Sequence, residues 1–255
     1  MKRVFFSIAD NNNLVHFQKL STSFKKFHPN ENLVLVGEDQ VKATGDPHFF
    51  YRATPFIAKQ LFDQGYDEVI KLDADMLILG DLSHIWEGEF DVAVVNNSSP
   101  KDYKQHLERT GQQLTTLDIQ PLAYLNNGLV VMKSKVFVEH WLGLCFSEHF
   151  PMYQFREQDF LNLLVFYCAD AFGGPYKVKF LDLSDKWHGC ISKGYTPLTK
   201  LVDGKVILPK NDEWPKDEDK QLVAYHYGGG PNTVKGNYRI LFPDDVVKFI
   251  DKLVK

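Results

Sequence analysis

The sequence predicts a single α/β domain built on a Rossmann-like, mostly parallel central sheet flanked by helices. Three observations carry that expectation. A strand, a helix and a second strand are complete by residue 36, the form of a βαβ unit with a right-handed crossover. The same alternation of β-rich runs and helical stretches continues beyond it. The 255 residues, 44% hydrophobic and 24% charged, suit a soluble domain with a real core.

Val4 to Ile8 is a compact β-rich run that stops at ADNNN, a cluster of turn formers. Leu14, Phe17, Leu20, Phe24 and Phe27 then recur at spacings of three and four, one buried stripe of a helix that ends at Pro29 and Asn30. LVLV at 33–36 is the second strand. Thr54 followed by Pro55 reads as an N-cap and first helical position, with Ile57, Leu61 and Phe62 turned inward and Gly65 ending the helix. EVIKL at 68–72, VAVV at 92–95 and LVVM at 129–132 read as further strands. Ser134 caps a helix whose inner face is expected to carry Phe137, His140, Trp141, Leu144 and Cys145. QDF at 158–160 opens an apolar helix through Phe166, and VVKFIDKLVK at the C-terminus is amphipathic, with Val246, Val247, Phe249, Ile250 and Leu253 inward. That helix fits docking on the domain better than membrane attachment. Residues 100–120 are polar and weakly periodic and read as an excursion over the site, while 209–220 reads as a solvated loop.

Net charge is −4 with both signs interspersed, so no bulk electrostatic partner such as nucleic acid is indicated. Cys145, Cys168 and Cys190 are dispersed and odd in number, which argues against a disulfide framework or a cysteine zinc site and makes a reducing, cytoplasmic compartment the default. No stretch has the length and apolarity of a spanning segment, and the opening residues lack a signal-peptide core.

One stretch breaks the pattern. In EVIKLDADMLIL, Asp73 and Asp75 interrupt an otherwise buried apolar run. Buried alone, each charge would cost several kcal/mol, on the order of the usual desolvation penalty. A bound cation, basic side chains or escape to the strand end are the candidate compensations. In doubly wound sheets ligands bind beyond the carboxyl ends of the strands, so Asp10 with Asn11 to Asn13 and Asp73 with Asp75 are expected on one edge. Spacing alone is weak evidence, because Asp217-Glu218-Asp219 repeats it within a charged loop. The distinguishing feature is the strand that feeds the first pair. Paired carboxylates suit a divalent Mg²⁺ or Mn²⁺ beside a diphosphate, whose oxygens complete the coordination.

DADMLILGDL at 73–82, YLNNGLVVM at 124–132, REQDFLN at 156–162 and AYHYGGGPNTVKG at 224–236 together resemble the glycogenin and bacterial lipopolysaccharide galactosyltransferase family, the retaining GT-A glycosyltransferases of family 8. The resemblance implies one GT-A domain over 1–255: a nucleotide-binding half at 1–100, a sugar- and acceptor-binding half at 101–240, and a C-terminal helix at 241–255. It implies Mn²⁺ or Mg²⁺ held by Asp73, Asp75 and His226, a UDP-sugar donor and a hydroxyl acceptor. Asp10 and Asn12 resemble the residues that hold uracil and ribose, though a polar turn explains them too. Lys59 matches a basic position near the donor, with a solvated surface lysine as the competing reading. Asn126 resembles the asparagine that contacts the sugar, and Gly128 lets backbone approach closely. Glu157-Gln158 stand where the family has Asp-Gln beside the donor sugar, so Glu157 and Gln158 are the candidate catalytic pair, with helix capping open for Glu157. Gly229 matches a diphosphate contact; Lys235 lies beyond the family's lysine position, which Asn232 occupies more closely. Trp187-His188 falls near the implied acceptor side.

Two other classes stay in view. A haloacid-dehalogenase-like phosphatase also places Asp-x-Asp at a strand end, with Asp244-Asp245 as downstream acids, but it expects the pair on the first strand. A non-catalytic sugar-nucleotide-binding protein would keep the fold and lose the chemistry.

Overall fold

The computed structural model describes residues 1–42, 49–96, 125–147, 157–168, 170, 173–182, 185, 187–188, 196–211, 215, 217–227 and 238–255. A six-stranded sheet organises them, with strands β1 (Arg3–Ala9), β2 (Leu33–Gly37), β3 (Glu68–Leu72), β5 (Val92–Asn96), β6 (Leu125–Met132) and β7 (Val178–Leu181) in the order β2-β1-β3-β6-β5-β7. β2 and β3 flank β1 in parallel, and β7 runs parallel to β5. β6 alone is antiparallel to its neighbours β3 and β5. The carboxyl ends of β1, β2 and β3 therefore share one edge.

Both faces of this sheet are covered, which is why its strands read as continuous apolar runs rather than alternating ones. Successive residues face opposite layers. Phe5, Ile70, Leu129 and Val131 meet Leu20 and Phe24 of α1 (Leu14–Phe27). Phe6, Val69, Val130 and Met132 meet Ala58 and Leu61 of α3 (Ala53–Asp63), Phe137 and Trp141 of α4 (Lys135–Cys145), and Leu161 and Val165 of α5 (Glu157–Cys168). A short α2 (Glu38–Lys42) follows β2.

A second, three-stranded sheet stands beside the first. β4 (Met76–Ile78) pairs antiparallel with β12 (Ala224–His226), which pairs parallel with β8 (Trp187–His188). Leu77 and Leu79 turn away from the central sheet into a cluster with Tyr225, Val206, Leu208 and the C-terminal helix α7 (Asp244–Leu253), which follows the short α6 (Tyr238–Leu241) and buries Val246 and Ile250. The inward stripe expected for the C-terminal stretch is the observed one. The remaining strands, β9 (Lys200–Val202), β10 (Lys205–Leu208) and β11 (Lys220–Gln221), form a small antiparallel sheet. Asp203 and Gly204 join β9 to β10 with positive φ at both positions, 49° and 72°, the geometry that favours an Asp-Gly hairpin turn.

Two local expectations are corrected. Thr54 is not an N-cap: α3 begins at Ala53, the cap position is Arg52 and makes no side-chain cap bond, and Thr54 lies buried inside the first turn. His140 does not face the core of α4; it is exposed and bonds the Tyr176 hydroxyl, while Val138 takes the buried position. Ser134 does cap α4, accepting from the Phe137 amide at 3.2 Å. The stretch at 100–120 and Asn232 lie outside the described residues. No described helix is long and apolar enough to cross a membrane.

The approach to β8 is tied down by an ion pair. Asp185 accepts from the Asp182 amide at 2.9 Å and from His84 Nε2 at 2.5 Å, joining the segment after β7 to the turn after β4. The Asp185 hydrogen bond raises the His84 pKa, against an opposing contribution from burial. A histidine whose folded pKa lies above its unfolded value of about 6.5 adds stability below that pH and loses it as pH rises through the folded pKa. His84→Ala is therefore expected to lower stability by about 0.5 kcal/mol at pH 5.5, a partly exposed and screened pair, and to cost less at pH 9. Urea denaturation at the two pH values measures the difference.

Candidate active site

The two aspartates stand where the chain changes sheets. Asp73 keeps the ladder of β3 and β6 for one more step, its amide donating to the Gly128 carbonyl at 2.7 Å. Asp73-Ala74-Asp75 then turns, with the Met76 amide returning to the Asp73 carbonyl at 3.2 Å, and β4 departs in the second sheet. The carboxylates are thus lifted out of the core, with side-chain exposures of 29% and 22%.

β12 brings the third group. Its pairing puts His226 opposite Met76, and the buried imidazole points Nε2 at Asp75 Oδ1, 3.0 Å away, and at Asp73 Oδ2, 3.5 Å away. One ligand atom from each of the three residues lies within 4.8 Å of the others. Two carboxylate oxygens and an imidazole nitrogen on a part-open rim form a donor set that fits Mn²⁺ or Mg²⁺ and leaves positions for phosphate oxygens. Gly128 makes the arrangement possible. A Cβ there would stand 2.7 Å from His226 Cε1, 2.8 Å from its Nδ1 and 2.7 Å from Asn126 Oδ1, all inside contact distance. Behind His226, Tyr227 donates its amide to the Asp75 carbonyl at 3.2 Å, and its buried hydroxyl bonds His16 Nδ1 at 2.5 Å, fastening the strand to α1.

Lys71 is the partner that sequence reasoning missed. It is buried within β3, and its ammonium bonds Asp73 Oδ1 and the Asn127 carbonyl, the latter at 2.8 Å. A signal was present. In a strand, residues two apart share a face, so a lysine inside an apolar run two positions before an aspartate has its neutralising partner at hand.

Glu157 opens α5 and is buried. Its Oε1 accepts from Thr54 Oγ1 at 2.6 Å and Asn127 Nδ2 at 2.8 Å, and its Oε2 accepts from the Thr54 amide at 3.1 Å. The carboxylate therefore satisfies the first turn of α3, a different helix from its own. Burial raises its pKa, and the Lys71 charge opposes that rise. Gln158 Oε1 accepts from the Asn127 amide at 3.1 Å, and Asn126 Oδ1 from the Gly128 amide at 2.9 Å. Asn162 completes the junction, bonding both backbone groups of Leu125 at 2.7 and 2.9 Å.

The structure brings Asp73, Asp75, His226, Asn126, Glu157 and Gln158 around the β3–β6 edge. Asp10, at the carboxyl end of β1, is half-buried, and its Oδ1 accepts from the Asn13 amide at 2.9 Å and its Nδ2 at 2.7 Å; Asn12 beside it is exposed. Lys59 is not brought to the triad: its ammonium pairs with Asp63 at 2.6 Å, and Asp63 also pairs with Lys135 of α4 at 2.6 Å, on the outer surface of the two helices. Gly229 and Lys235 lie outside the described residues. Glu218, in the comparison loop, pairs with Lys220 at 2.7 Å and is exposed.

The family model for Glycosyl transferase family 8 matches residues 4–229. A lipopolysaccharide 1,2-glucosyltransferase of Escherichia coli K12 is 25% identical over an alignment 209 residues long that covers 78% of this chain and 60% of that protein. The chain thus spans less than two thirds of that relative. Among solved structures, the galactosyltransferase LgtC in complex with donor and acceptor sugar analogues aligns with TM-score 0.57 at 15% identity, covering 99% of this chain and 96% of that one. The bifunctional glycosyltransferase WbbM aligns with TM-score 0.59 at 18% identity, covering 98% and 49%. These likenesses establish a shared fold.

Gly128→Ala tests the packing of the triad. The added methyl displaces His226, and Mn²⁺ affinity is expected to fall by about tenfold or more, the scale seen when groups that orient metal ligands are disturbed, while circular dichroism stays unchanged. Titration of Mn²⁺ monitored by electron paramagnetic resonance reads the loss.

Proposed function

The chain belongs to glycosyl transferase family 8, and from that premise we propose that it transfers a hexose, glucose or galactose, from a UDP-sugar to an acceptor hydroxyl with retention of configuration, assisted by Mn²⁺ or Mg²⁺. The convergence of Asp73, Asp75 and His226 on the ligand edge of the sheet carries this reading. These three residues would hold the ion, which when bound neutralises the diphosphate leaving group.

Every other role falls to the chain's own groups. Asp10 and Asn12, beyond β1, are assigned to uracil and ribose, and residues 1–100 to the nucleotide. Residues 101–240 are assigned to sugar and acceptor, with Asn126 and Gln158 orienting the donor sugar and Gly229 and Lys235 contacting the diphosphate. Lys59 would have to leave Asp63 to reach a donor. Glu157 supplies a fixed charge toward an oxocarbenium-like state rather than a nucleophile, because three donors already engage its two oxygens. The bond from C1 to the diphosphate oxygen breaks, the acceptor oxygen bonds C1 on the same face, and the acceptor proton passes to the departing phosphate oxygen. No enzymic base is then required. Dispersed cysteines support a cytoplasmic place of action.

Family membership displaces the phosphatase reading. A screen of UDP-glucose and UDP-galactose for slow hydrolysis without acceptor tests the proposal. UDP release that depends on Mn²⁺ is expected, reduced by about a hundredfold or more in Asp75→Asn with an unchanged melting temperature. Phosphomonoester turnover, or metal-dependent activity that survives the substitution, contradicts it. UDP binding with no turnover of any donor favours the non-catalytic alternative.

A further inference from the structure

Lys71 is only 4% exposed, yet it carries a charge into direct contact with Asp73. Its ammonium is not free to swing away. It is anchored on the Asn127 carbonyl at 2.8 Å, and Asn127 is itself held, its amide by Gln158 and its side chain by Glu157. One oxygen of Asp73 is thereby occupied, and the other is the one that faces His226 at 3.5 Å.

We propose that Lys71 is a built-in counter-ion that fixes Asp73 with a single oxygen turned to the triad and keeps the triad's affinity for a free divalent cation low until a polyanion is present. This rests on the metal-binding reading of Asp73, Asp75 and His226. The two carboxylates and the ammonium beside them sum to one negative charge, not two. A divalent cation entering alone gains the attraction of two carboxylates and meets the repulsion of a fixed ammonium in a partly desolvated place, where such repulsion is strong. A diphosphate arriving with the cation reverses the balance, since its charge is attracted by both. Cation and diphosphate therefore assist each other's binding, and the assistance is reciprocal. Lys71 is a positioning residue here, acting on a donor through Asp73 and the cation.

The test compares the unmodified protein with Lys71→Met, which removes charge and hydrogen bonds at similar volume, and Lys71→Gln, which removes charge and keeps an N–H donor. Free Mn²⁺ is followed by electron paramagnetic resonance, with and without saturating UDP, after circular dichroism and melting confirm that each variant is folded. Both variants are expected to bind Mn²⁺ alone about tenfold tighter or more, and the enhancement of Mn²⁺ binding by UDP is expected to shrink by a similar factor. Affinities for Mn²⁺ alone that equal or fall below that of the unmodified protein in the folded variants overturn the proposal. Asp75→Asn separates the two layers. If it leaves Mn²⁺ binding intact, or if no Mn²⁺ binds with or without UDP, the metal reading fails and Lys71 with it; if it abolishes binding while the Lys71 variants match the unmodified protein, only the counter-ion proposal fails.

Discussion

Between Leu72 and Met76 the backbone leaves the central sheet for the small one, and the Asp73 amide bonded to the Gly128 carbonyl is the last rung before it goes. Everything at the site depends on that crossing. It lifts two carboxylates to the rim, and the return pairing of β12 on β4 sets His226 opposite them. A glycine at 128 leaves room for the imidazole against the backbone. The three compensations open to a buried acid pair operate together: the strand ends, a lysine neutralises one acid, and the geometry suits a cation.

Around this crossing the polar groups form one connected system. His226 meets Asp73 and Asp75, Asp73 meets Lys71, Lys71 meets Asn127, and Asn127 meets Glu157 and Gln158. Glu157 then ends on the first turn of α3 through Thr54. A buried network of this kind is favourable when each member is satisfied and costly when one is removed, so it fixes the distance between the triad and Glu157. The His16–Tyr227 bond performs the same service from α1.

Much of this was legible from residue order. Periodicity located β1, α1 and β2, and the all-buried character of EVIKL followed from its composition once two covered faces were assumed. The Asp pair stood out because a strand feeds it, which Asp217 and Asp219 lack. Other features depend on contacts that spacing does not encode. Thr54 and Pro55 look like a helix start, but the acid that satisfies the first turn arrives from Glu157, 103 residues away in sequence. The antiparallel insertion of β6 between β3 and β5 is a tertiary choice that local pattern leaves undetermined. Lys59 resembles a basic family position near the donor, and the ion pair it makes with Asp63 one turn along its own helix is a contact that the resemblance does not encode. Two signals were readable and passed over: Asp203-Gly204 between β-rich runs, and Lys71 two residues before Asp73.

In the proposed function one divalent ion is held jointly by Asp73, Asp75 and His226. Anomalous scattering at the manganese edge from crystals grown with Mn²⁺ and UDP tests it most directly. A single strong peak is expected, coordinated by one oxygen from each aspartate and by His226 Nε2, with diphosphate oxygens completing the sphere. A peak elsewhere, or UDP bound with no metal at the triad, would contradict it.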